Sequence, residues 1–337
     1  MKTLVMRFSS AGDIILTSLF VRALRRRYPD AEIHYLTKQA FAPLVEHSPY
    51  LNRVITIAND AGMRDLAKLK SEMIRQNGGD YDIVFDLHNS LRSRYMRAGL
   101  GKELAIFHKP TFKKWLLVKR KINRLRPVVP IPERYLKVGE RYGLVNDGEG
   151  LDLFIGGTLS PIVPQDGNLT VALAPGAKHA TKRWLAENFA ALGTMLSGDY
   201  GARIVLLGSA AERELCAGID SSIAGESINL AGQTTLLETA AVVDSCDLVV
   251  ANDSALAHVA AARKRPVISI FGSTVQEFGF TPYGTRSVIV ERAGLYCRPC
   301  TTIGRESCPE GHFRCMREIS VGDVLEASRG LVGAVRV

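Results

Sequence analysis

The chain lacks the segments that carry proteins into or across membranes. None of its apolar runs reaches the roughly 18 residues that a membrane-spanning helix needs. The first residues, MKTLVMRF, have neither the apolar core nor the cleavage site of a signal peptide and predict a β-strand instead. We therefore expect a cytoplasmic protein. The length of 337 residues, with 46% hydrophobic and 23% charged residues, favours two globular domains.

Several well-known functional motifs are also missing. No predicted strand is followed by G-x-G-x-x-G, and G-x-x-x-x-G-K-[ST] does not occur, which argues against a dinucleotide dehydrogenase and a P-loop NTPase. The G-x-S-x-G turn of the α/β-hydrolases is missing too. Zinc-finger spacing, a helix-turn-helix pattern and an RNP-like aromatic strand are not found, so we expect no nucleic-acid partner.

Strand and helix patterns alternate in both halves of the chain. In the first half the hydrophobic spacing predicts strands at 2–8, 32–37, 53–57 and 81–88, with helices at 13–28, 41–47 and 62–76. In the second half it predicts strands at 170–176, 203–209, 248–253 and 266–272, with helices near 185–198, from about 210, and at 254–262. This alternation is typical of α/β folds with doubly wound parallel sheets.

A segment rich in Gly, Pro, Asn and Asp, residues 145–170, predicts a linker between the two halves. We expect domains at 1–160 and 161–320, with a C-terminal helix over 321–337 packing back towards the N-terminal domain. Ligands of open α/β sheets bind beyond the carboxyl ends of strands. Two such halves therefore predict a ligand cleft between them.

Asp13 is the first candidate site residue. It follows strand one in the sequence SSAGD and opens an apolar helix. A carboxylate there can cap the helix, which contributes about 0.5–2 kcal/mol. It can also act as a general base, because the small residues around Ser10 and Gly12 let a substrate approach the backbone. The local sequence leaves both interpretations open.

The second half offers candidates for binding a phosphate. Lys178, His179, Lys182 and Arg183 cluster after a strand and just before a helix, an arrangement that suits phosphate oxygens. The alternative is a solvated polar loop. Glu212 stands early in a helix after the next strand, where it can bond ribose hydroxyls or serve as an ordinary first-turn acid.

The strongest local signal is VVANDSALAHVAAA, residues 249–262. A buried strand ends at Asp253, and a helix begins at Ser254 and Ala255. His258 lies four residues after Ser254, on the same helix face, one turn from the positive end of the helix dipole. This combination suits a diphosphate, although Asp253 could be a helix cap and the histidine a structural one.

Basic residues concentrate between Phe107 and Pro127, where no acid occurs. They are Lys109, Lys113, Lys114, Lys119, Arg120, Lys121, Arg124 and Arg126. Apolar residues, Trp115 among them, alternate with these cations. The segment is either a solvated helix flank or a surface for an anionic partner such as a membrane or a phosphorylated lipid.

Four cysteines cluster near the end of the chain: Cys297, Cys300, Cys308 and Cys315. Disulfides are rare in cytoplasmic proteins. The C-x-x-C pair suggests a structural zinc site, but the second pair is spaced unlike a zinc ribbon. Reduced thiols or an opportunistic disulfide are the alternatives.

Together these stretches resemble the family 9 glycosyltransferases, the ADP-heptose:lipopolysaccharide heptosyltransferases, and the cysteine-rich tail resembles heptosyltransferase II-type members. The resemblance is carried by residues 7–37, 86–93, 173–192, 206–209, 228–262, 266–274 and 297–320. It implies a GT-B fold, two Rossmann-like domains facing a central cleft. The acceptor would bind in the N-terminal domain and the nucleotide sugar in the C-terminal one.

The resemblance also implies an inverting transfer that needs no metal cofactor, with ADP-heptose as donor and the lipopolysaccharide inner core on lipid A as acceptor. Asp13 aligns with the family's proposed base and Lys182 with its donor-phosphate lysine. The family's D-[ST]-[GA]-x-x-H segment falls on residues 253–258, and Glu212 falls near its ribose-binding acid. Ser10 and Gly12 would line the acceptor site beneath the acceptor hydroxyl.

On this interpretation Lys113, Lys114, Lys119 and Arg120 would face the phosphorylated inner core or the anionic inner face of the inner membrane, where the protein would be peripheral. Two other functions stay open. One is a GT-B transferase that uses another nucleotide sugar. The other is a non-catalytic protein that binds a nucleotide sugar at the membrane.

Overall fold

Each half of the chain forms a parallel β-sheet with helices packed on it. The computed structural model describes residues 1–76, 81–157 and 163–332. The first sheet contains β1 (Lys2–Met6), β2 (Glu32–Lys38), β3 (Arg53–Ile57), β4 (Tyr81–Asp86) and β5 (Gly101–Ile106). Its strand order is β3-β2-β1-β4-β5, so the direction of winding changes between β1 and β4.

The second sheet repeats this arrangement with one more strand. It contains β6 (Thr170–Ala174), β7 (Arg203–Leu206), β8 (Ser227–Asn229), β9 (Leu248–Asn252), β10 (Val267–Phe271) and β11 (Ser287–Glu291). The order is β11-β10-β9-β6-β7-β8, and the winding changes between β6 and β9. Every residue of β6, β9 and β10 is buried, as expected for parallel strands covered by helices on both faces.

The helices connect these strands. They are α1 (Ala11–Ile15), α2 (Ser18–Arg27), α3 (Pro43–Glu46), α4 (Met63–Gln76), α5 (Leu91–Arg97), α6 (Thr111–Arg120), α7 (Ile131–Leu136), α8 (Ala186–Tyr200), α9 (Arg213–Asp220), α10 (Leu236–Asp244), α11 (Ala255–Ala262), α12 (Arg314–Arg317) and α13 (Val321–Val332). In the part of the chain that the structure describes, no helix is both long and apolar enough to cross a bilayer.

The predicted α/β alternation is confirmed, and the strands that the sequence missed share one property. β5, β8 and β11 are all edge strands of their sheets. Their residues are largely exposed or half-buried. An edge strand needs little apolar surface, so its hydrophobic pattern is weak.

The helix predicted over 13–28 is in fact two helices, α1 and α2, separated near Thr17. The hydroxyl of Thr17 donates to the carbonyl of Ile14 at 2.7 Å and contacts the hydroxyl of Tyr35 at 2.9 Å. The Thr17 amide also bonds to the Ile14 carbonyl, three residues back. These local bonds compete with the α-helical pattern and break the helix.

The chain divides into two compact units, Met1–Pro110 with Ile131–Gly156, and Thr111–Pro130 with Gly157–Val337. Helix α6 thus groups with the second unit, although it lies within the predicted 1–160 domain. The reason is apolar packing, since Leu117 and Leu125 share a small core with Phe278. Helix α13 packs against α8 and the second sheet. The rest of the helix predicted over 321–337 lies outside the described residues, and its packing towards the N-terminal domain stays a prediction.

A buried arginine ties α2 to the end of the first unit. The side chain of Arg22 is fully buried, and its Nε and Nη2 donate to Asp147 at 2.7 and 2.8 Å. The same guanidinium pairs with Asp152 and donates to the Gly150 carbonyl. Hydrogen bonds from Arg22 lower the pKa of Asp147 to about 2. The stability from this pair is therefore full above about pH 4 and is lost as the pH falls towards 2.

Replacing Arg22 by Met should lower the free energy of unfolding by about 3 kcal/mol, because the part-buried Asp152 would lose its cation and Asp147 would keep only the half-exposed Arg26. Urea unfolding monitored by circular dichroism measures this. Arg26→Met is the matched control, because Arg26 is half exposed and also pairs with Asp147. Its urea midpoint should stay near that of the wild type, and equal shifts in both variants would contradict the assignment.

Candidate functional site

The loop after β1 carries Asp13 at the point where the winding of the first sheet changes direction. Asp13 Oδ2 accepts hydrogen bonds from the backbone N–H of Ser10 at 3.2 Å and from the Ser10 hydroxyl at 2.9 Å. These bonds close a capping box at the start of α1. The carboxylate is therefore a helix cap, and its other oxygen remains for further contacts.

That second oxygen meets a buried cation. Arg7 Nη2 lies 2.7 Å from Asp13 Oδ1, and the Tyr135 hydroxyl donates to the same oxygen at 3.3 Å. Arg7 Nη1 donates to the Leu87 carbonyl at 2.8 Å, which fixes the guanidinium between β1 and β4. Burial raises the pKa of Asp13, but the Arg7 charge and the Ser10 bonds outweigh it. The net pKa lies below the ordinary 3.8, so the carboxyl is ionised at neutral pH.

His88 and Lys109 complete this group, which we call the first strand-end cluster (Arg7, Ser10, Asp13, His88 and Lys109). His88 follows β4, and its Nδ1 is buried without a hydrogen-bond partner in the described residues. Burial, together with the charges of Arg7 and Lys109, lowers the pKa of His88 to about 4, so the ring is neutral at pH 7. Burial and Arg7 also lower the pKa of Lys109.

No local pattern in the sequence singles out His88, although it lies in residues 86–93, DLHNSLRS, which carry part of the family resemblance. The feature of the sequence that could have indicated His88 is its position directly after the buried end of β4. Asp86, fully buried, holds that turn by accepting from the amides of His88 and Asn89 at 3.0 and 2.7 Å and from Arg97 Nη1 at 2.6 Å. Recognising the cluster required knowing that β4 pairs with β1.

The second strand-end cluster (Lys182, Glu212, Asp253, Ser254 and His258) occupies the corresponding edge of the second sheet. Lys182 Nζ lies 2.7 Å from Asp253 Oδ2, and the Thr274 hydroxyl donates to the same oxygen at 2.6 Å. Asn252, fully buried, accepts from the Trp184 amide at 3.0 Å and donates to the Pro175 carbonyl at 2.8 Å. Asn252 thus ties the end of β9 to the segment that carries Lys182.

Ser254, Ala255 and His258 lie at the start of α11. Ser254 is the N-cap residue, and its buried hydroxyl oxygen has no hydrogen-bond partner among the described residues. His258 is 4% exposed, and its ring lies 6.5 Å from that of Phe280. The first backbone N–H groups of α11 can bind an anion, and the positive end of the helix dipole favours negative charge there. The small side chain of Ala255 lets an anion approach these groups.

Glu212 reaches the same edge through close contact with a glycine. Its Oε2 accepts from the Ser209 amide at 2.7 Å and from the Ser209 hydroxyl at 2.9 Å, forming a capping box. A Cβ atom on Gly176 would lie 1.9 Å from Glu212 Oε1, so a side chain at that position would displace the Glu212 carboxylate. Arg183 Nε donates to the Ala177 carbonyl at 2.7 Å, a hydrogen bond within its own loop.

The basic residues of α6 divide into two groups. Lys114 Nζ lies 5.2 and 5.3 Å from the ring centroids of Phe278 and Phe280, where the ammonium packs over aromatic faces. Lys113, Lys119 and Arg120 are exposed. The structure therefore separates Lys114 from the surface cations with which the sequence grouped it.

The cysteines of the tail are all free thiols. Cys297 Sγ lies 3.9 Å from His312 Nε2. Over residues 1–76, 81–157 and 163–332, no three or more His, Cys, Asp or Glu side chains are arranged to hold a metal ion. Zinc at Cys297, Cys300, Cys308 and Cys315 stays a prediction.

Comparison with known proteins agrees with this architecture. Residues 70–310 match the model of the family described as Glycosyltransferase family 9 (heptosyltransferase). Lipopolysaccharide heptosyltransferase 2 of Escherichia coli strain K12 is 26% identical over 98% of this chain and 99% of its own length.

Two solved structures share the fold over nearly the whole chain. One is a family 9 glycosyl transferase from Veillonella parvula, with a TM-score of 0.79 and 21% identity, covering 99% of this chain and 97% of that one. The other is E. coli ADP-heptose lps heptosyltransferase II, with a TM-score of 0.73 and 22% identity, covering 100% of each chain. The predicted GT-B architecture, with two parallel sheets, is confirmed.

The pKa of Asp13 provides a direct test of the first strand-end cluster. We expect its carboxyl to titrate below the ordinary 3.8 in a ¹³C NMR pH titration. In Arg7→Met it should titrate above that value, because burial would remain while the opposing charge is gone. An unchanged titration in Arg7→Met would show that Arg7 does not set the charge of Asp13.

Proposed function

Because the chain belongs to glycosyltransferase family 9, the heptosyltransferase family, we propose that it moves a heptose from ADP-heptose to the inner core of lipopolysaccharide by an inverting mechanism that uses no metal. ADP-heptose and lipopolysaccharide are both named for the similar E. coli enzyme, and the inner core as the site of transfer is part of our proposal. The observation that carries the proposal is the second strand-end cluster. It places the Lys182–Asp253 pair beside the N-terminus of α11, next to a buried Ser254 hydroxyl that no other described residue hydrogen-bonds.

The second strand-end cluster suits a nucleoside diphosphate. Lys182, the Ser254 hydroxyl and the first N–H groups of α11 can contact the phosphate oxygens, with His258 one turn behind them. The pair with Asp253 and Thr274 holds the Lys182 ammonium in place before the donor binds. Ala255 leaves room for the sugar and phosphates at the backbone. Glu212, at the other side of the strand ends, can accept hydrogen bonds from ribose hydroxyls.

Departure of ADP builds negative charge on the diphosphate. Fixed positive groups aimed at that charge stabilise the transition state most when they need no reorganisation. Lys182 and the α11 N-terminus meet this requirement, and Arg183 adds a nearby guanidinium whose Nε is already fixed to the Ala177 carbonyl. This charge can take the place of a divalent metal, which is why we propose a metal-independent transfer.

Asp13 is proposed as the general base. Inversion requires a base on the face of the sugar carbon opposite the leaving group, where it takes the proton of the acceptor hydroxyl. The lowered pKa keeps the carboxylate in the form that can accept this proton. The Ser10 hydroxyl, 2.9 Å from Oδ2, can turn away and leave that oxygen to the acceptor. Gly12 keeps the neighbouring backbone free of side-chain atoms.

Helix α6 supports the proposed contact with an anionic inner membrane. Its inner side is fixed by Leu117 in the core and by Lys114 over two aromatic rings. On the opposite side the rings of Phe112 and Trp115, 69% and 46% exposed, stack with centroids 6.0 Å apart. Lys119 falls on the same side at helical spacing, flanked by Lys113 and Arg120. Exposed aromatic rings bordered by cations suit the headgroup region of an anionic bilayer.

Asp13→Asn should lower turnover by about 100-fold or more, because the acceptor proton loses its base. The assay measures ADP release from ADP-heptose with a truncated lipopolysaccharide acceptor, with and without EDTA, and EDTA should change nothing. Asp65→Asn is the matched control, since Asp65 caps α4 by accepting from the Gly62 amide at 2.8 Å. It should retain wild-type turnover. Near-normal turnover in Asp13→Asn would leave Asp13 as a helix cap only.

A separate assay tests the membrane contact. Reversing Lys113, Lys119 and Arg120 to Glu should weaken binding to vesicles containing anionic phosphatidylglycerol by at least about tenfold, since each cation near such a surface contributes about 1 kcal/mol. Trp115 fluorescence should shift to the blue on binding wild type. The other tryptophan, Trp184, is 2% exposed and should not respond.

The control for this assay reverses three exposed cations on α4, Arg64, Lys68 and Arg75, which changes the net charge equally. It should bind vesicles as wild type does. Equal loss in both triple variants, or binding to neutral phosphatidylcholine vesicles that matches binding to anionic ones, would overturn the assignment of α6.

A further inference from the structure

The proposed reaction leaves the cysteine segment, residues 295–317, without a role. This segment is long and contains only one short helix, α12. Loops of such length inside a compact unit are uncommon and are usually functional. Its contacts run to the two loops that form the second strand-end cluster.

The first contact centres on Thr181, which is 1% exposed and precedes Lys182. Its hydroxyl donates to the Arg305 carbonyl at 3.1 Å and accepts from the Arg305 amide at 2.8 Å. The same oxygen accepts from the Ser273 hydroxyl at 3.0 Å. The Thr181 amide also donates to the Arg305 carbonyl at 3.0 Å. One donated and two accepted bonds use the full capacity of a hydroxyl.

Beside Thr181 the backbone of the cysteine segment lies directly on His179. Gly304 has a φ of +116°, and a Cβ added to it would lie 2.5 Å from the Cβ of His179. His179 Nδ1 also pairs with Glu306 at 3.2 Å. The cysteine segment therefore contacts the loop that carries Lys182 at two positions, His179 and Thr181. The close approach at His179 requires glycine at position 304.

The second contact is made by Arg298, whose side chain is 6% exposed. Its Nε donates to the Gly272 carbonyl at 2.6 Å, and its Nη2 donates to the Thr274 carbonyl at 2.9 Å and to Glu291 at 2.7 Å. Arg298 thus fixes the loop after β10. The hydroxyl of Thr274, in that loop, donates to Asp253, the partner of Lys182.

We propose that the cysteine segment is a brace for the donor site, with Thr181 and Arg298 as positioning residues that hold Lys182 and Asp253 where the diphosphate binds. The identity of the ligand rests on the proposed function, but the brace itself is a matter of contacts within the second unit. Neither residue is expected to touch the reacting atoms. Their loss should therefore reduce donor affinity more than turnover at saturating donor.

Thr181→Val keeps the shape of the side chain and removes its three hydroxyl bonds. We expect the Michaelis constant for ADP-heptose, and the dissociation constant for ADP measured by calorimetry, to rise about tenfold or more, because small displacements of positioned groups are costly. The kcat should fall as well but by a smaller factor, because the displaced Lys182 is also proposed to stabilise the departing diphosphate. Thr181→Ser restores the hydroxyl and should return both constants towards those of wild type.

The hydrogen-exchange rate of the peptide covering residues 177–184 measures how firmly the cysteine segment holds this loop, without any ligand. The amides of this loop should exchange faster in Thr181→Val than in wild type and Thr181→Ser. Thr285→Val is the matched control, because its hydroxyl donates to the Arg265 carbonyl at 2.9 Å, at the opposite ends of the strands. It should leave exchange in 177–184 and ADP affinity unchanged.

Unchanged exchange and unchanged ADP affinity in Thr181→Val would overturn the brace, as would an equal effect of Thr285→Val. Faster exchange together with a wild type that binds no ADP would support the brace and overturn the diphosphate assignment. If Thr181→Val does not fold, Arg298→Lys tests the second contact, through faster exchange of the peptide covering residues 271–275 and weaker ADP binding. It keeps a cation near Glu291 but cannot reach the several oxygens that the guanidinium joins.

Discussion

In each sheet the chain changes its direction of winding between two neighbouring central strands, and the chemistry-bearing side chains depend on this constraint. At β1 and β4, and again at β6 and β9, the loops leave the strand ends in opposite directions. Loops that diverge cannot cover the strand ends between them, so backbone groups and side chains stay open to a ligand there. Asp13 and His88 belong to one such point, and Lys182 and Asp253 to the other.

Both strand-end clusters contain a carboxylate that lies 2.7 Å from a cation, Asp13 beside Arg7 in the first and Asp253 beside Lys182 in the second. The surroundings of the two ion pairs differ, and so do the functions that the pairs suit. Arg7 is buried and bonded to the Leu87 carbonyl, so its role is to keep Asp13 ionised and fixed. Lys182 lies at the start of a loop beside the α11 N-terminus, where its ammonium adds to the field of the helix dipole. One pair therefore suits holding a base, and the other suits holding an anion.

Much of the fold was predictable from the sequence because buried parallel strands have continuous apolar runs. TVALA, LVVAN and VISIF show this pattern, and all three form the central strands of the second sheet. The edge strands β5, β8 and β11 were missed, because their apolar runs are at most three residues long and their residues are largely half-buried or exposed. The assignment of α6 to the second unit was equally hidden, since it rests on Leu117 and Leu125 meeting Phe278, far away in the sequence.

The sequence by itself determined the strand ends where functional residues lie, because Asp13, Lys182, Asp253 and Ser254 each follow a recognisable strand, and it determined the family through those motifs. Only the tertiary structure decided what each side chain does there. Pairing of β1 with β4 placed His88 beside Arg7 and Asp13 and brought the Leu87 carbonyl that fixes the Arg7 guanidinium against the carboxyl. Long-range contacts turned Lys114 away from the surface cations and placed the cysteine segment against Thr181. Such contacts depend on strand order and packing, which a local residue pattern does not contain.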